Sequence, residues 1–109
     1  MHLTDSQKRH LRGLAHRLRP CVYVGNAGPT PGVLAEINAA LDYHELIKVS
    51  VRTGSRETRD ATIGTLQRDA RATLVQQIGN TAVLYRPRDG DRKIGLPEAG
   101  PGPTGATQT

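Results

Sequence analysis

The chain has 109 residues, enough for one domain with a hydrophobic core. Fifteen Lys and Arg against ten Asp and Glu give a net charge of +5, which favours a polyanionic partner, either nucleic acid or an acidic membrane surface. A single cysteine excludes an intrachain disulfide and a cysteine-rich metal site. With no signal peptide and no apolar stretch of membrane-spanning length, we expect a cytoplasmic protein.

A first helix is predicted over residues 5–18. Thr4 and Gln7 have the spacing of a capping box, and Pro20 ends the helix. The predicted buried stripe consists of the apolar residues at helical spacing, Leu11, Leu14, Ala15 and Leu18. Beside this stripe the sequence predicts a basic flank, Lys8, Arg9, Arg12, His16 and Arg19. A generic charged surface is the alternative interpretation of this flank.

A short strand over residues 21–24 leads into a G-x-x-G loop, Gly25, Asn26, Ala27 and Gly28. Glycines have no Cβ, so the backbone can approach a ligand closely. Thr30 is a candidate N-cap for a second helix, and Gly32 lies in its first turn, where free N–H groups favour anions. By itself the pattern favours a plain strand-to-helix turn over a phosphate-binding loop.

The rest of the domain is predicted to contain a helix over 31–43, a strand over 46–52, a helix over 56–71, and strands over 73–78 and 81–86. Gly79-Asn80 favours a tight hairpin between the last two strands. In the strand over 46–52, Ile47, Val49 and Val51 alternate with an outer face that is partly basic, Lys48, Ser50 and Arg52. Arg56 and Arg59 follow, and with Arg52 they extend the candidate anion-binding surface.

The final segment has two parts. Residues 94–96 form a short candidate docking segment, whereas residues 98–109 are rich in Gly, Pro and Thr and have no apolar periodicity. We therefore expect a domain over 1–97 and a disordered tail over 98–109. The element order α-β-α-β-α-β-β predicts an α/β (α+β) two-layer sandwich, in which three helices cover a four-stranded mixed sheet.

Several segments carry the motifs of one known family. They include Leu14-Ala15-His16, the G-x-x-G loop with Val24, and the segments 32–37, 44–49, 56–58, 78–79 and 83–87. Together they resemble the CRM domain, named for chloroplast RNA splicing and ribosome maturation, and in particular its single-domain bacterial YhbY-like members. The resemblance spans about residues 3–97.

The resemblance implies an RNA-binding domain similar in fold to the C-terminal domain of the third bacterial initiation factor. It implies large-subunit ribosomal RNA or a pre-ribosomal particle as the partner, and it places RNA contact on the G-x-x-G loop and the adjacent basic surface. We expect a monomer with no membrane partner, metal or cofactor. The sequence departs from the family pattern at Pro29 and Pro31, which stiffen the loop exit, and at Arg71, where a glycine commonly ends the third helix.

Catalysis is disfavoured by the residues themselves. His10 and His16 lie on different flanks of the first predicted helix and do not form a metal-binding pair. The glycine loop is not followed by the Lys and Ser/Thr of a P-loop. Cys21 lies in an apolar run and is interpreted as a small buried hydrophobe rather than a nucleophile.

The sequence also limits how RNA could be recognised. Its aromatic residues are too few for an aromatic stacking platform: Tyr23, Tyr43 and Tyr85. This scarcity favours recognition of the RNA backbone and shape over base reading. Two alternatives remain open: a basic module that binds a ribosomal protein, and a factor that acts on another structured RNA.

Overall fold

The computed structural model describes residues 2–88 and 94–97. Its elements are α1 (Asp5–Ala15), β1 (Pro20–Val24), α2 (Pro31–His44), β2 (Leu46–Val51), α3 (Arg56–Ala70), β3 (Thr73–Ile78) and β4 (Thr81–Tyr85). The predicted order of elements is confirmed. The predicted tail over 98–109 lies outside the described residues.

The four strands form one mixed sheet in the order β1-β2-β4-β3. β1 and β2 are parallel, with Val24 opposite Val51, and α2 forms the crossover between them. β4 pairs antiparallel with both β2 and β3. The predicted hairpin joins β3 to β4, and Gly79 at its turn has a φ of 57°, a conformation that glycine adopts without steric cost.

The helices lie on both faces of the sheet, so the predicted two-layer arrangement is corrected to three layers. α2 and α3 bury Ile37 and Leu66 against one face, where Val49 lies. α1 buries Leu11 against the other face, where Val83 lies. The physical reason is that β2 and β4 present apolar side chains to both faces, as in the neighbouring pairs Leu46 and Ile47, and Val83 and Leu84.

α1 has the predicted capping box, in which the Gln7 N–H donates to Thr4 Oγ1 at 3.1 Å and the Thr4 N–H donates to Gln7 Oε1 at 3.0 Å. The helix ends at Ala15, three residues earlier than predicted, because the chain turns there to reach the start of β1. Leu14 and Leu18 were predicted to be buried, which is wrong: they are 42% and 37% exposed. The helix packs on the sheet through Leu11 and Ala15, which leaves Leu14 on its flank, and Leu18 lies beyond its end.

Cys21 is exposed, so its predicted burial is wrong. Val22 and Val24 face α2 and α3, and strand alternation therefore places Cys21 and Tyr23 on the opposite face of the sheet. α1 packs mainly on β2 and β3 and leaves this edge strand open. Partial desolvation raises the pKa of the Cys21 thiol, which disfavours the nucleophilic thiolate form.

The C-terminal end of α2 is closed by a buried carboxylate. Glu45 is fully buried and has a φ of 66°, which places a non-glycine residue at positive φ and carries strain. Its Oε2 accepts the Arg88 N–H at 2.8 Å and its Oε1 accepts the Ile94 N–H at 2.6 Å. Ile94 and Leu96 pack against the core beneath α1, which confirms the predicted docking segment.

Two arginines complete this end of the molecule. Arg86 donates to Asn38 Oδ1 at 2.7 Å, to the carbonyl of Ala70 at 2.6 Å and to Asp42 Oδ1 at 2.8 Å. Arg88 donates to the carbonyls of Asp42 and Tyr43, in the last turn of α2. These guanidinium groups tie together α2, α3 and the end of β4.

Candidate nucleic-acid interface

The G-x-x-G loop is a closed turn with a free outer edge. The Gly28 N–H donates to the Gly25 carbonyl at 3.0 Å, and Gly28 has a φ of 75°. Asn26 and Ala27 are exposed, and their N–H groups donate to no acceptor among residues 2–88 and 94–97. The loop is therefore a turn that presents two unpaired backbone donors to solvent, so the two alternative interpretations of its sequence are compatible.

The start of α2 offers less to an anion than its sequence suggests. Thr30 is the N-cap as predicted, and its Oγ1 accepts the Val33 N–H at 3.1 Å. Pro31 has no N–H, and the Leu34 N–H donates to the Thr30 carbonyl. Within the first turn this leaves the N–H of Gly32, so the α2 terminus contributes a single donor.

Arg52 and Arg56 lie at the same end of the sheet as the loop. β1 and β2 are parallel, so their carboxyl ends meet at one edge. The Arg52 N–H donates to the Val24 carbonyl at 2.8 Å, which fixes Arg52 directly beside Gly25. Arg56 is exposed in the first turn of α3, which Ser55 caps. Neither guanidinium forms a hydrogen bond or ion pair in the described part of the chain.

Arg59 belongs to the same end but is already bonded. Its side chain is 18% exposed and lies 3.5 Å from Asp60 Oδ1, and it donates to Asn80 Oδ1 at 3.3 Å. Gln77 Nε2 also donates to Asp60 at 3.0 Å. This bond, with a smaller contribution from Arg59, lowers the pKa of Asp60. Arg59 therefore braces the hairpin against α3, and less of its charge is available to a ligand.

The basic flank of α1 is divided by the fold. Arg12 and His16 line a groove between α1 and the sheet, of about 210 Å³. Arg19 lines a separate, smaller cleft with Lys48 and His44. Lys8 is half-buried and Arg9 is exposed, and neither lines these two cavities.

The floor and far wall of the groove come from the sheet. Lys48, Gln76 and Thr81 supply its polar groups, and Ile78 supplies exposed apolar surface, whereas Val83 is buried. Lys48 was predicted on the outer face of β2 but not as a contact residue. Gln76 was not predicted as a contact residue, because its face depends on a bulge: the register of β3 against β4 shifts between Leu74 and Gln76.

One row of residues across the sheet connects the loop to the groove. Tyr23 is paired with Ser50, Ser50 with Thr81, and Thr81 with Ile78. Tyr23 and Ile78 are 67% and 66% exposed. Ser50, which joins Tyr23 to Thr81, is buried at 5% exposure. The loop, Arg52, this row and the groove lie along one face of the sheet, which we call the open face.

Residues 3–86 match the sequence profile of the CRS1/YhbY (CRM) domain. The chain belongs to the CRM domain family. Membership in this non-catalytic family agrees with the expectation that the chain is not an enzyme. No helix of this CRM domain, within the described ranges, is long and apolar enough to cross a membrane.

Individual relatives cover most of this CRM domain. It is 50% identical over 95 residues to a protein of Haemophilus influenzae named "RNA-binding protein", a match that covers 87% of this chain and 95% of the relative. It is 42% identical to the probable RNA-binding protein YqeI of Bacillus subtilis, with 87% and 99% covered. The solution structure of a hypothetical protein from Staphylococcus aureus superimposes with a TM-score of 0.75 at 36% identity, covering 88% of this chain and 100% of that one. This match confirms the predicted α/β fold with its element order and four-stranded mixed sheet.

Proposed function

We propose that this CRM domain binds RNA through its open face and that its RNA is large-subunit ribosomal RNA in a precursor particle. The observation that supports the proposal best is that backbone donors and cations follow one another along the open face. Unpaired backbone donors at Asn26 and Ala27 lead past Arg52 and across the sheet to the cations Arg12 and Lys48. The names of the relatives, which describe RNA-binding proteins, support the same class of partner.

The loop would act as a backbone clamp on the RNA. Apart from its chain neighbours, no described residue has an atom within 4 Å of the position that a Cβ on Gly25 would occupy, so the space next to it is open to a ligand. The N–H groups of Asn26 and Ala27 can donate to phosphate oxygens, as the GXXG loop of KH domains does for single-stranded RNA. Arg52 and Arg56 flank the loop and would form charge pairs with the neighbouring phosphates.

The groove side would add further phosphate contacts. Arg12, His16 and Lys48 converge there, and none of the residues 2–88 and 94–97 that line it is acidic. The four cations Arg52, Arg56, Arg12 and Lys48 can neutralise about four phosphates. At about −0.7 per neutralised phosphate for a single strand, the slope of log K against log salt is expected to be about −2.8.

The partner is tested by crosslinking in cells followed by sequencing of the attached RNA. Enrichment of large-subunit ribosomal RNA, with sedimentation of the protein on precursor particles, would support the proposal. Enrichment of another structured RNA would retain RNA binding and overturn the ribosomal assignment. A slope close to zero for purified protein and RNA would overturn the electrostatic mechanism.

A protein-interaction role is the second candidate, and one observation favours it. The exposed side chains of Leu14 and Leu18 line an apolar groove with Leu46 and Ile94, on the opposite flank of α1 from the basic groove. A ribosomal protein could dock there. Sedimentation with ribosomal particles that depends on Leu14 and Leu18, together with a footprint showing no protected RNA, would favour this role over RNA binding.

A further inference from the structure

The groove between α1 and the sheet contains a polar side chain whose hydrogen-bonding capacity is unused. Gln76 is half-buried in the groove, and its amide has no hydrogen-bond partner in residues 2–88 or 94–97. The neighbouring Gln77 donates from Nε2 to Asp60 Oδ1 at 3.0 Å. Two adjacent glutamines therefore differ in state: one braces the fold, and the other is available to a ligand.

A β-bulge directs Gln76 into the groove. Val75 packs in the core beneath α1, so strict alternation would direct Gln76 to the other face of the sheet. The register shift between Leu74 and Gln76 instead pairs Gln76 with Val83, which also lines the groove. Bulges of this kind re-aim side chains and are frequent next to functional sites.

The surroundings of Gln76 fit a nucleobase better than a phosphate alone. The groove has a volume of about 210 Å³. This equals the volume of about seven water molecules in the liquid, at ~30 Å³ each. Ile78, which is 66% exposed, supplies apolar surface for the face of a ring, whereas Ala15 and Val83 are buried in the core beneath the groove. Arg12 and Lys48 carry the positive charge needed by the phosphates on either side of a bound base.

We propose that this groove is a nucleobase subsite in which Gln76 reads the edge of one unstacked RNA base. The inference rests on the proposed RNA binding and goes beyond the expected recognition of backbone and shape. A glutamine amide pairs in bidentate fashion with the N6 and N7 atoms of adenine. A purine also fills a groove of this volume better than a pyrimidine does, so the preferred base is adenine.

Tyr23 extends the subsite towards the G-x-x-G loop. It lies two strands from Thr81 in the row Tyr23, Ser50, Thr81, a separation of about 10 Å at ~4.8 Å per strand. Its ring is 67% exposed on the same face, which suits stacking of an adjacent base. One short single strand can therefore contact the loop, Tyr23 and the groove in turn.

The test compares binding of labelled oligo(A), oligo(U) and oligo(C) to the full chain by fluorescence anisotropy at one salt concentration. The parent protein is expected to prefer oligo(A) by about tenfold, the discrimination typical of one bidentate pair. Gln76→Ala is expected to remove most of this preference without changing the salt slope. Gln76→Met keeps the side-chain volume and is expected to do the same, which separates lost base reading from altered packing.

Gln77→Ala is the matched control, since the residue is adjacent in sequence but bonded on the other face. It is expected to keep the parent preference. Retention of the oligo(A) preference in both Gln76 variants, or salt-dependent binding with no preference in the parent, would overturn the subsite and leave the proposed function standing. Failure of the parent to bind any RNA would overturn both.

Discussion

The two ends of the sheet use arginine in opposite ways. At the amino end of β2, Arg86 and Arg88 donate to backbone carbonyls and to Asp42, and they hold the ends of α2 and α3 together. At the carboxyl end Arg59 is bonded, but the guanidinium groups of Arg52 and Arg56 form no hydrogen bond or ion pair within the described ranges. Net charge alone does not distinguish them, whereas hydrogen-bond partners do: bonded arginines stabilise the fold, and unbonded ones are available to a polyanion.

The backbone shows the same contrast. At the amino end of β2, the strained Glu45 has its carboxylate fully used by the N–H groups of Arg88 and Ile94. At the carboxyl end, Asn26 and Ala27 of the turn at Gly25–Gly28 are exposed, and their N–H groups have no acceptor in the part of the chain that the structure describes. The first end is therefore expected to govern stability and the second to govern binding.

The largest expected effect is on stability, from Glu45→Ala. The variant removes the acceptor of two backbone N–H groups, and hydrogen bonds to charged groups contribute about 1.5–3 kcal/mol each. We expect the free energy of unfolding to fall by about 3 kcal/mol in urea denaturation. RNA affinity, measured where the variant is folded, should stay close to that of the parent. A loss of affinity in the folded variant would break the contrast between the two ends.

The opposite result is expected from the double variant Arg52→Ala and Arg56→Ala. Removal of two phosphate contacts should reduce the magnitude of the salt slope by about 1.4, at about 0.7 per contact. The free energy of unfolding should change by less than about 0.5 kcal/mol, because both side chains are exposed and unbonded.

Arg68→Ala is the matched control for this pair. Arg68 is also an exposed arginine on α3, with its side chain 72% exposed and 3.6 Å from Asp69, but it lies in the last turn of the helix. It is expected to leave the slope unchanged. An equal loss from Arg68→Ala would mean that total charge, rather than the position of Arg52 and Arg56, controls binding.

The loop is tested with Gly25→Asp. Gly25 has open space around its Cβ position and no positive φ, so the carboxylate should repel phosphate without straining the turn. Gly28 is less suitable, because its φ of 75° would add strain to any substitution. We expect RNA affinity to fall by about tenfold with a nearly unchanged thermal midpoint.

Ala39→Asp is the control for the added charge, since Ala39 is exposed on α2, on the other side of the sheet from the open face. Gly25→Ala adds a Cβ without a charge. It therefore separates the effect of close backbone approach to the RNA from the effect of charge repulsion. If Ala39→Asp weakens RNA binding as much as Gly25→Asp does, the loop has no special role.

The smallest expected effect concerns the brace formed by Asp60, Arg59 and Gln77. The folded-state pKa of Asp60 lies below its ordinary value of 3.8. Its bonds therefore stabilise the fold above about pH 4, and this contribution is lost as the pH falls through the lowered pKa. Asp60→Asn should reduce the acid dependence of the thermal midpoint slightly. An unchanged acid dependence in the variant would show that the brace does not contribute to stability.

The sequence predicts the element order because caps and turns are local. Thr4, Thr30 and Gly79-Asn80 each mark a boundary through contacts within a few residues, and all three take their predicted roles. The burial of Leu18 and Cys21 was mispredicted because it depends on how far α1 extends across the sheet. That is a property of tertiary packing, which no local pattern carries.

The candidate site also has one part that the sequence predicts and one part that only the fold reveals. The G-x-x-G loop and its cap follow from sequence, as does the basic character of α1. The convergence of Arg12 with Lys48 requires the pairing of α1 with β2, and the position of Gln76 requires a bulge that the alternation of residues conceals. Arg59 was expected at the interface, but its bonds to Asn80 and Asp60 appear only in the fold.

The contrast between the two ends is tested most directly by amide NMR during titration with a short single-stranded RNA. The expected shifts are at Asn26, Ala27, Gly32 and Arg52 and along the groove at Lys48 and Gln76. The amide chemical shifts of Asp42, Glu45 and Arg88 should not change. Chemical-shift changes concentrated at this second group, with unchanged shifts in the loop and the groove, would contradict RNA binding through the open face.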